Sequence, residues 1–344
     1  MESTEKMDLK KVRDLLISTA APLVGGKEAK GFADLYLDTH MKKFPRMNPL
    51  EEAVKDIQAW KRAMAQRPDL QPEILSQKEG VLVYDFHGLP PSLKMPSIHG
   101  ELERRAKKNG VAAAGIINGG GIISLGFCAD GLAHRDLIGI ASFNGGTQCC
   151  VPHGGCKGVF GTNPLCYAIP TTQDPICLDM ATTQIPFFDL KNAKESATPL
   201  PKGCAVDSTG NPTTRAAEAL TEDNVANLLP LGGGYKGYGL VMLLEILTGA
   251  LLGSPLSPSQ TPGWNPQEYG CFILAIDISG FTNINTFKAQ VDQMGQFLRA
   301  LPPAQGHEGV SIPGDRANQK IRRAREQGQI IVKKEFEQSI KALV

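Results

Sequence analysis

The sequence lacks an excess of charge of either sign, and it lacks long apolar runs. Its 36 Lys and Arg residues are offset by 35 Asp and Glu residues, which leaves a formal net charge of +1 over 344 residues. A polybasic nucleic-acid-binding protein carries a clear positive excess, so this class is excluded. Glycine, proline or charged residues interrupt every apolar stretch before the roughly 18 residues that a membrane span requires. No nucleic-acid or membrane partner is therefore expected.

The chain also lacks a signal-like start and a recognisable metal motif. Residues 1–16 have the pattern of a polar helix start, which favours a cytoplasmic protein. Eight cysteines are an ordinary number for a reducing compartment. Cys149, Cys150 and Cys156 lie close in sequence, but no CxxC motif or closely spaced histidine pair accompanies them. We therefore predict no metal site.

Glycine, by contrast, is abundant and clustered. The 37 glycines include runs at 119–121, 145–146, 154–155 and 232–234. Such runs mark sharp turns or places where the backbone approaches another group closely. These glycine runs form plain loops or line a ligand-binding cleft. Separately, the length of the chain allows two or three domains.

Hydrophobic periodicity predicts helices towards both ends of the chain and strands in its middle. The predicted helices lie within 8–65 and at 99–109, 238–252, 285–301, 316–327 and 333–343. The predicted strands are 81–86, 111–117, 137–143, 165–170, 176–182 and 271–277, with a polar loop at 191–215. The apolar helix at 238–252 is too short to cross a membrane.

The common nucleotide and hydrolase motifs are absent. The stretch 119–126 follows a predicted strand, but its spacing is not GxGxxG and no acidic residue follows at the required distance. Lys236 is followed by glycine, so it does not complete a phosphate-binding P-loop. Neither GxSxG nor HExxH occurs. Local motifs alone predict an α/β enzyme with a glycine-lined cleft.

Four segments taken in order are more specific. They read GVFGTNPLCYAIP at 158–170, ICLDMATT at 176–183, LLPLGGGYKGYGL at 228–240 and IPGDR at 312–316. Together they resemble the second type of malate/L-lactate dehydrogenase, a family that differs in fold from the ordinary lactate and malate dehydrogenases. It includes ureidoglycolate, sulfolactate and diketogulonate oxidoreductases and the Δ1-piperideine-2-carboxylate/Δ1-pyrroline-2-carboxylate reductases. The resemblance covers about residues 98–325 and is weak over the first 60.

The resemblance implies an α/β, non-Rossmann fold. Its cofactor domain has a central mixed, largely antiparallel sheet, and its α-helical domain is built from both termini. The domains would be an α-helical domain at 1–78 plus 285–344, a small α/β linking domain at 79–117 plus 271–284, and a cofactor-binding domain at 118–270. It also implies a homodimer with NADH or NADPH in an inter-domain cleft and a small-molecule carboxylate substrate.

The resemblance assigns cofactor binding to residues of three of the four segments. These residues are Ile176, Leu178, Asp179, Met180, Ala181, Thr182, Tyr235, Lys236, Gly314, Asp315 and Arg316. Lys236 lies among glycines and can reach a phosphate, and Arg316 opens a helix whose N-terminus attracts anions. The alternatives are a solvated lysine in a turn and an exposed arginine at a helix start.

The catalytic histidines of the family are shifted or missing. Members usually carry Ser-His-Gly in a loop after the second helix, and its histidine donates the proton. Here residues 33–47 read ADLYLDTHMKKFPRM, and the interval is several residues too short. His40 fills the catalytic position with Thr39 replacing the serine, or both residues belong to the helix and the loop is absent. The second histidine, after strand 111–117, is replaced by glycine-rich sequence.

Four further residues are candidates for catalysis or substrate binding. In the family, an aspartate at the position of Asp179 orients the catalytic histidine; the alternative is a buried structural aspartate that accepts backbone hydrogen bonds. His153, in VPHGG, is a third catalytic candidate, although a loop histidine often only bonds the backbone. Arg46 and Thr162 are the candidates for substrate binding, since a guanidinium suits a carboxylate.

The expected reaction is hydride transfer from NADH or NADPH to C2 of a 2-oxo acid or a cyclic 2-imino acid. Imine reduction is favoured because a cyclic imine is basic and takes a proton from solvent, which tolerates a missing histidine. The alternative is a divergent member that binds NAD(P) but has lost or changed the redox step, as a pseudoenzyme or a cyclase.

Overall fold

The computed structural model describes residues 3–145, 148–261 and 265–343, so Gly146 of the predicted glycine pair lies outside the described residues. The helices of the described residues are α1 (Leu9–Val24), α2 (Gly26–Lys43), α3 (Pro49–Gln66), α4 (Met95–Asn109), α5 (Gly126–Ala133), α6 (Phe187–Glu195), α7 (Ala216–Ala219), α8 (Tyr235–Thr248), α9 (Ile284–Arg299), α10 (Asp315–Gln327) and α11 (Phe336–Lys341). The strands are β1 (Thr4–Asp8), β2 (Glu73–Lys78), β3 (Val81–Asp85), β4 (Val111–Ile117), β5 (Leu137–Phe143), β6 (Leu165–Ile169), β7 (Ile176–Met180), β8 (Ala205–Val206), β9 (Pro212–Thr213), β10 (Gly270–Asp277) and β11 (Gln329–Lys333).

A seven-stranded sheet forms the centre of the molecule, in the order β2-β3-β4-β10-β5-β6-β7. Strands β3 and β4 pair in parallel, and the other neighbouring pairs are antiparallel. Ile273 of β10 lies opposite Ala114 on one side and Ala141 on the other, and all three side chains are buried. The predicted mixed, largely antiparallel sheet is confirmed.

Both ends of the chain meet on the helical side of this sheet. Strand β1 pairs antiparallel with β11, from Thr4 opposite Lys333 to Asp8 opposite Gln329. The main core joins apolar side chains of α1–α4 to those of β11 and α11 and to one face of the sheet. This arrangement confirms a helical region built from both termini.

A second, smaller core lies between residues 149 and 228. Cys149, Leu190 and Leu228 are buried in it, away from the main core. The large sheet is continuous through strands of both the predicted linking domain and the predicted cofactor domain, so the division into three domains stays a prediction.

Helix α8 begins three residues before its predicted start. With the turn that follows, Tyr235–Leu252 is 18 residues long with a mean hydropathy of 1.3, and by length and composition it is the one candidate membrane span of the described residues. Glu245, near its middle, is buried and accepts hydrogen bonds from Asn163 Nδ2 at 2.7 Å and Ser257 Oγ at 2.8 Å. These bonds attach α8 to the rest of the folded chain, and 33% of the span is buried.

Candidate active site

The site is built around Asp179, near the end of edge strand β7. Its Oδ2 atom accepts hydrogen bonds from Lys43 Nζ at 2.7 Å, Ser124 Oγ at 2.7 Å and Gly126 N at 3.4 Å. Ser124 is buried and precedes α5, so two neighbouring groups at the start of that helix hold the carboxylate. An unpaired carboxylate in an apolar strand is costly, and these donors remove that cost.

Lys43 is the last residue of α2, which places its ammonium group against the sheet edge. The side chains of Lys43 and Asp179 retain only 26% and 16% of their exposure, so the ion pair is partly shielded from solvent. Lys43 is not among the residues that the sequence predicts for the site. The available signal is its position, since it stands just before the Phe-Pro-Arg stretch that matches the family downstream of the missing loop.

His40 does not hydrogen bond to Asp179, so the expected pair of these two residues is corrected. Helix α2 runs without a break to Lys43, and Thr39 and His40 are therefore buried helical residues rather than loop residues. His40 Nε2 lies 2.8 Å from the carbonyl oxygen of Ile331, and its Nδ1 has no partner in the described part of the chain. Burial lowers the pKa of His40 to about 4, which keeps the ring neutral near pH 7.

The other predicted catalytic histidine, His153, lies at a different place. It is exposed, and its ring packs edge-on against Tyr235, with 6.4 Å between the centroids. A catalytic role for His153 stays a prediction. In the described residues, no histidine hydrogen bonds to Asp179.

The Arg46 side chain and the backbone carbonyl of Thr162 are already engaged within the protein. Arg46 donates through Nη2 and Nε to the carboxylate of Asp189 on α6, at 2.5 and 3.3 Å. The carbonyl oxygen of Thr162 accepts from both the backbone N–H and the hydroxyl of Thr182, each at 3.0 Å. A substrate carboxylate would therefore have to share or displace Asp189 to reach Arg46.

The structure brings the three predicted cofactor-binding segments together along β7. At one end, a Cβ atom added to Gly314 would lie 3.0 Å from Cys177 N, and Asn318 Nδ2 donates to the carbonyl of Pro175 at 3.0 Å. Beyond the other end, Leu231 N donates to Thr182 O at 2.8 Å, which fixes the turn before α8. Ile176–Met180 thus lies between the start of α10 and the approach to α8.

Exposed cations stand at both helix starts. Lys236 on α8 and Arg316 on α10 are exposed, and neither makes an ion pair or hydrogen bond with another described side chain. Asp315, by contrast, pairs with Arg299, and the Arg299 guanidinium lowers the pKa of this carboxyl. A cavity of about 250 Å³ lies next to this pair and is bounded also by Ile176.

The glycine run at 119–121 packs against a proline turn. Gly120 N donates to Leu89 O at 3.1 Å, and a Cβ atom on Gly120 would lie 3.1 Å from the Pro90 backbone. The chain therefore passes close to Pro90 where the family carries its second histidine. Within residues 3–145, 148–261 and 265–343, no group of three or more His, Cys, Asp or Glu side chains has the geometry of a metal site.

Comparison with known proteins identifies the family. The family model for malate/L-lactate dehydrogenase matches residues 51–341. The chain belongs to this family. A relative in Methanothermus fervidus, malate/(S)-sulfolactate dehydrogenase, is 33% identical over 228 residues, which cover 65% of this chain and 64% of the relative. The chain therefore matches less than two-thirds of the length of that protein.

Other members differ in substrate. A Δ1-pyrroline-2-carboxylate/Δ1-piperideine-2-carboxylate reductase of Pseudomonas putida is 33% identical over 249 residues, which cover 71% of this chain and 69% of the reductase. The solved sulfolactate dehydrogenase of Methanocaldococcus jannaschii matches with a TM-score of 0.81 and 25% identity, covering 98% of this chain and 96% of that chain. The malate/L-lactate dehydrogenase fold predicted from the sequence is confirmed, and the family is one of oxidoreductases.

Proposed function

We propose that the chain is an NADH- or NADPH-dependent oxidoreductase that transfers a hydride to C2 of a 2-oxo acid or a cyclic 2-imino acid. The observation that carries this proposal is the convergence of three segments on β7, with the held carboxylate of Asp179 between them. Membership of an oxidoreductase family supports it.

The residues present suit a dinucleotide. Lys236 and Arg316 are cations left without an intramolecular partner among the described residues, and each lies in the first turn of a helix. Both the cations and the helix N-termini favour phosphate oxygens. Gly314 lets the backbone lie against β7 where a Cβ atom would crowd Cys177 N. When bound, the reduced coenzyme would supply the hydride.

We propose a cyclic imine in preference to a 2-oxo acid. His40 is buried and neutral, so a ketone would have to take its proton from another group of the site. A basic cyclic imine takes its proton from solvent and then needs only the hydride. The Pseudomonas putida relative, a reductase of two such imines, supports this preference.

The proposal includes a second copy of the chain and a cytoplasmic location. Met242, Leu243 and Ile246 on α8 are exposed by 39%, 52% and 49%, and a second copy would cover this apolar face. The eight cysteines are free thiols, which fits a reducing compartment.

The test begins with coenzyme binding. NADPH and NADH are titrated against the protein by fluorescence, with Lys236→Met, Arg316→Met and the control Lys30→Met, whose exposed lysine lies on α2 away from β7. Loss of one phosphate-binding cation is expected to raise the coenzyme Kd about tenfold. The control is expected to bind like the wild type.

Turnover is then measured with pyruvate, Δ1-piperideine-2-carboxylate and Δ1-pyrroline-2-carboxylate as coenzyme oxidation. The imines are expected to give the higher kcat/KM. Coenzyme binding without turnover of any of the three would favour the alternative, a member whose redox step has been lost or replaced by a reaction such as cyclisation. Equal binding by the two helix-start variants and the wild type would contradict the coenzyme site.

A further inference from the structure

We propose that Lys43 is the proton donor when a 2-oxo acid is reduced and that Asp179 and Ser124 position it. The inference rests on the proposed function and names the group that replaces the family's histidine. Lys43 Nζ lies 2.7 Å from Asp179 Oδ2, and Asp179 belongs to the strand around which the cofactor-binding segments gather. Of the catalytic candidates, Lys43 is the one whose side chain touches that carboxylate.

The carboxylate is held so that it can fix the ammonium group in turn. Ser124 Oγ and Gly126 N donate to the same oxygen that Lys43 contacts. Ser124 is 4% exposed, so its hydroxyl cannot leave readily for solvent. A lysine side chain is flexible, and a carboxylate anchored at two further points restricts it to one position.

Lys43 has N–H donors that a substrate can reach, whereas neighbouring Lys42 and His40 do not. An ammonium group has three donors, and Asp179 accepts one, which leaves two for a substrate. Its side chain is 26% exposed at the sheet edge. Neighbouring Lys42 is directed instead to Asp130 at 2.5 Å, and His40 is neutral and directed to the Ile331 carbonyl.

Reduction of a ketone takes one hydride and one proton. C2 receives the hydride with its electron pair from the reduced nicotinamide, and the C=O π pair moves to oxygen. One Nζ–H bond of Lys43 breaks, its electron pair stays on nitrogen, and the proton joins the oxygen. The products are the 2-hydroxy acid, oxidised coenzyme and a neutral Lys43 amine, which water reprotonates.

A cyclic imine that is already protonated needs no proton from Lys43. The iminium carbon accepts the hydride, and its π pair returns to nitrogen, which gives the neutral cyclic amino acid directly. Lys43 is therefore essential for 2-oxo acids and dispensable for protonated imines. A purely structural lysine would not separate the two substrate classes in this way.

The experiment compares Lys43→Met and Lys43→Arg with wild type on pyruvate and on Δ1-piperideine-2-carboxylate. Positioned proton transfer contributes roughly 10²–10⁴-fold to a rate, so kcat for pyruvate is expected to fall at least about 100-fold in Lys43→Met. At a pH below the pKa of the imine, kcat for imine reduction is expected to fall less than about fivefold, because Lys43 transfers no proton to a protonated imine. Coenzyme Kd, from fluorescence titration, is expected to stay unchanged.

Lys43→Arg keeps a positive charge that can pair with Asp179, but a guanidinium does not give up its proton near neutrality. It is expected to fold and to lose pyruvate reduction as Lys43→Met does, whereas rescue by arginine would indicate an ion pair with only a structural role. Lys42→Met is the matched control, because it removes an adjacent, partly buried lysine from its ion pair with Asp130. It is expected to retain pyruvate reduction, with thermal unfolding used to compare stability.

Two failures are distinguishable. An active wild type whose Lys43→Met or Lys43→Arg variant reduces pyruvate at more than half the wild-type kcat overturns the role of Lys43 alone. A wild type that binds coenzyme but reduces neither substrate overturns the proposed function, and the role of Lys43 with it.

Discussion

At the level of single residues, His40 and His99 are both buried and neutral, although their neighbours differ. His40 bonds the Ile331 carbonyl and stacks on Phe44, with 4.7 Å between ring centroids. His99 lies near the carbonyl of Cys128, at 3.2 Å. Burial lowers the pKa of each to about 4, so each is neutral in the folded protein. Neutral histidines in a core contribute to packing and to acid sensitivity.

Burial of His40 makes the stability of the protein depend on pH. The pKa of His40 is about 4 when folded and about 6.5 when unfolded, so the unfolded chain binds the proton first as pH falls. The stability that neutral His40 contributes is fully present above pH 6.5 and is lost as the pH falls towards 4. From pH 7 to pH 4.5 this loss is about 2–3 kcal/mol. His40→Gln, whose amide can still donate to Ile331 O, is expected to lose less stability over this interval, measured by urea unfolding at both pH values.

The same variant tests the catalytic assignment of this histidine. If His40 has no proton to give, His40→Gln is expected to keep kcat within about twofold of wild type, since the surface of the site is unchanged. A loss of tenfold or more in a folded variant would restore His40 as the catalytic acid. His99 is present in both the wild type and His40→Gln, so its effect on stability is the same in both and cancels when they are compared.

At the element scale, the start of α8 depends on one close backbone approach. A Cβ atom on Gly237 would lie 1.9 Å from the carbonyl oxygen of Leu231, a backbone atom that cannot turn aside. A Cβ atom on Gly239, two residues later on the same helix, would have nothing within 4 Å. The turn before α8 is also bonded to Thr182, so a shift there reaches the end of β7.

Gly237→Ala and Gly239→Ala are therefore expected to act in opposite directions. Gly237→Ala must displace the turn at Leu231, with an expected loss of about 1–3 kcal/mol and weaker coenzyme binding through neighbouring Lys236. Gly239→Ala is expected to stabilise α8 by up to about 1 kcal/mol, because alanine is the better helix former. Thermal unfolding and coenzyme titration measure both effects, and equal behaviour of the two variants would contradict the close approach.

Sequence patterns predict the buried strands of the sheet better than the exposed elements. The bounds of strands β4 and β5 follow correctly from the sequence, because each is an apolar run that the sheet buries. Strands β1 and β2 escape prediction, since nearly all their residues are exposed and carry no apolar alternation. Helix α6 also escapes prediction, and its second half occupies the start of the predicted polar loop.

The candidate site is predictable only where its residues form continuous segments. The cofactor-binding segments can be named because each is a short sequence pattern. The Lys43–Asp179 contact joins residues 136 positions apart, and no local pattern encodes such a pair. The continuity of α2 through His40 also depends on tertiary packing, since the sequence is compatible with either a helix or a loop there.

At the scale of the whole molecule, two ion pairs attach the end of α2 to the rest of the site. Lys43 pairs with Asp179 on the sheet edge, and Arg46 pairs with Asp189 on α6, which contributes Leu190 to the smaller core. Asp179 and Arg46, together with Lys43, therefore lie where the helical region meets the region around the smaller core. A substrate that engages Arg46 would alter the contact between them.

The exposed apolar face of α8 predicts that two copies of the chain associate. A stable dimer buries roughly 1,200–2,000 Å² in total, and its centre is depleted of charge. Leu243 and Ile246 lie exposed on this face, and Leu243 follows Lys236 by about two turns of the same helix, so a second copy there would approach the proposed coenzyme site. Wild type is expected to sediment as a dimer and Leu243→Glu as a monomer, because a buried unpaired carboxylate opposes association.

Leu75→Glu is the matched control, since Leu75 is exposed by 50% on edge strand β2. A monomeric Leu75→Glu with a dimeric Leu243→Glu would move the interface from α8 to the sheet edge, and a monomeric wild type would contradict the dimer itself.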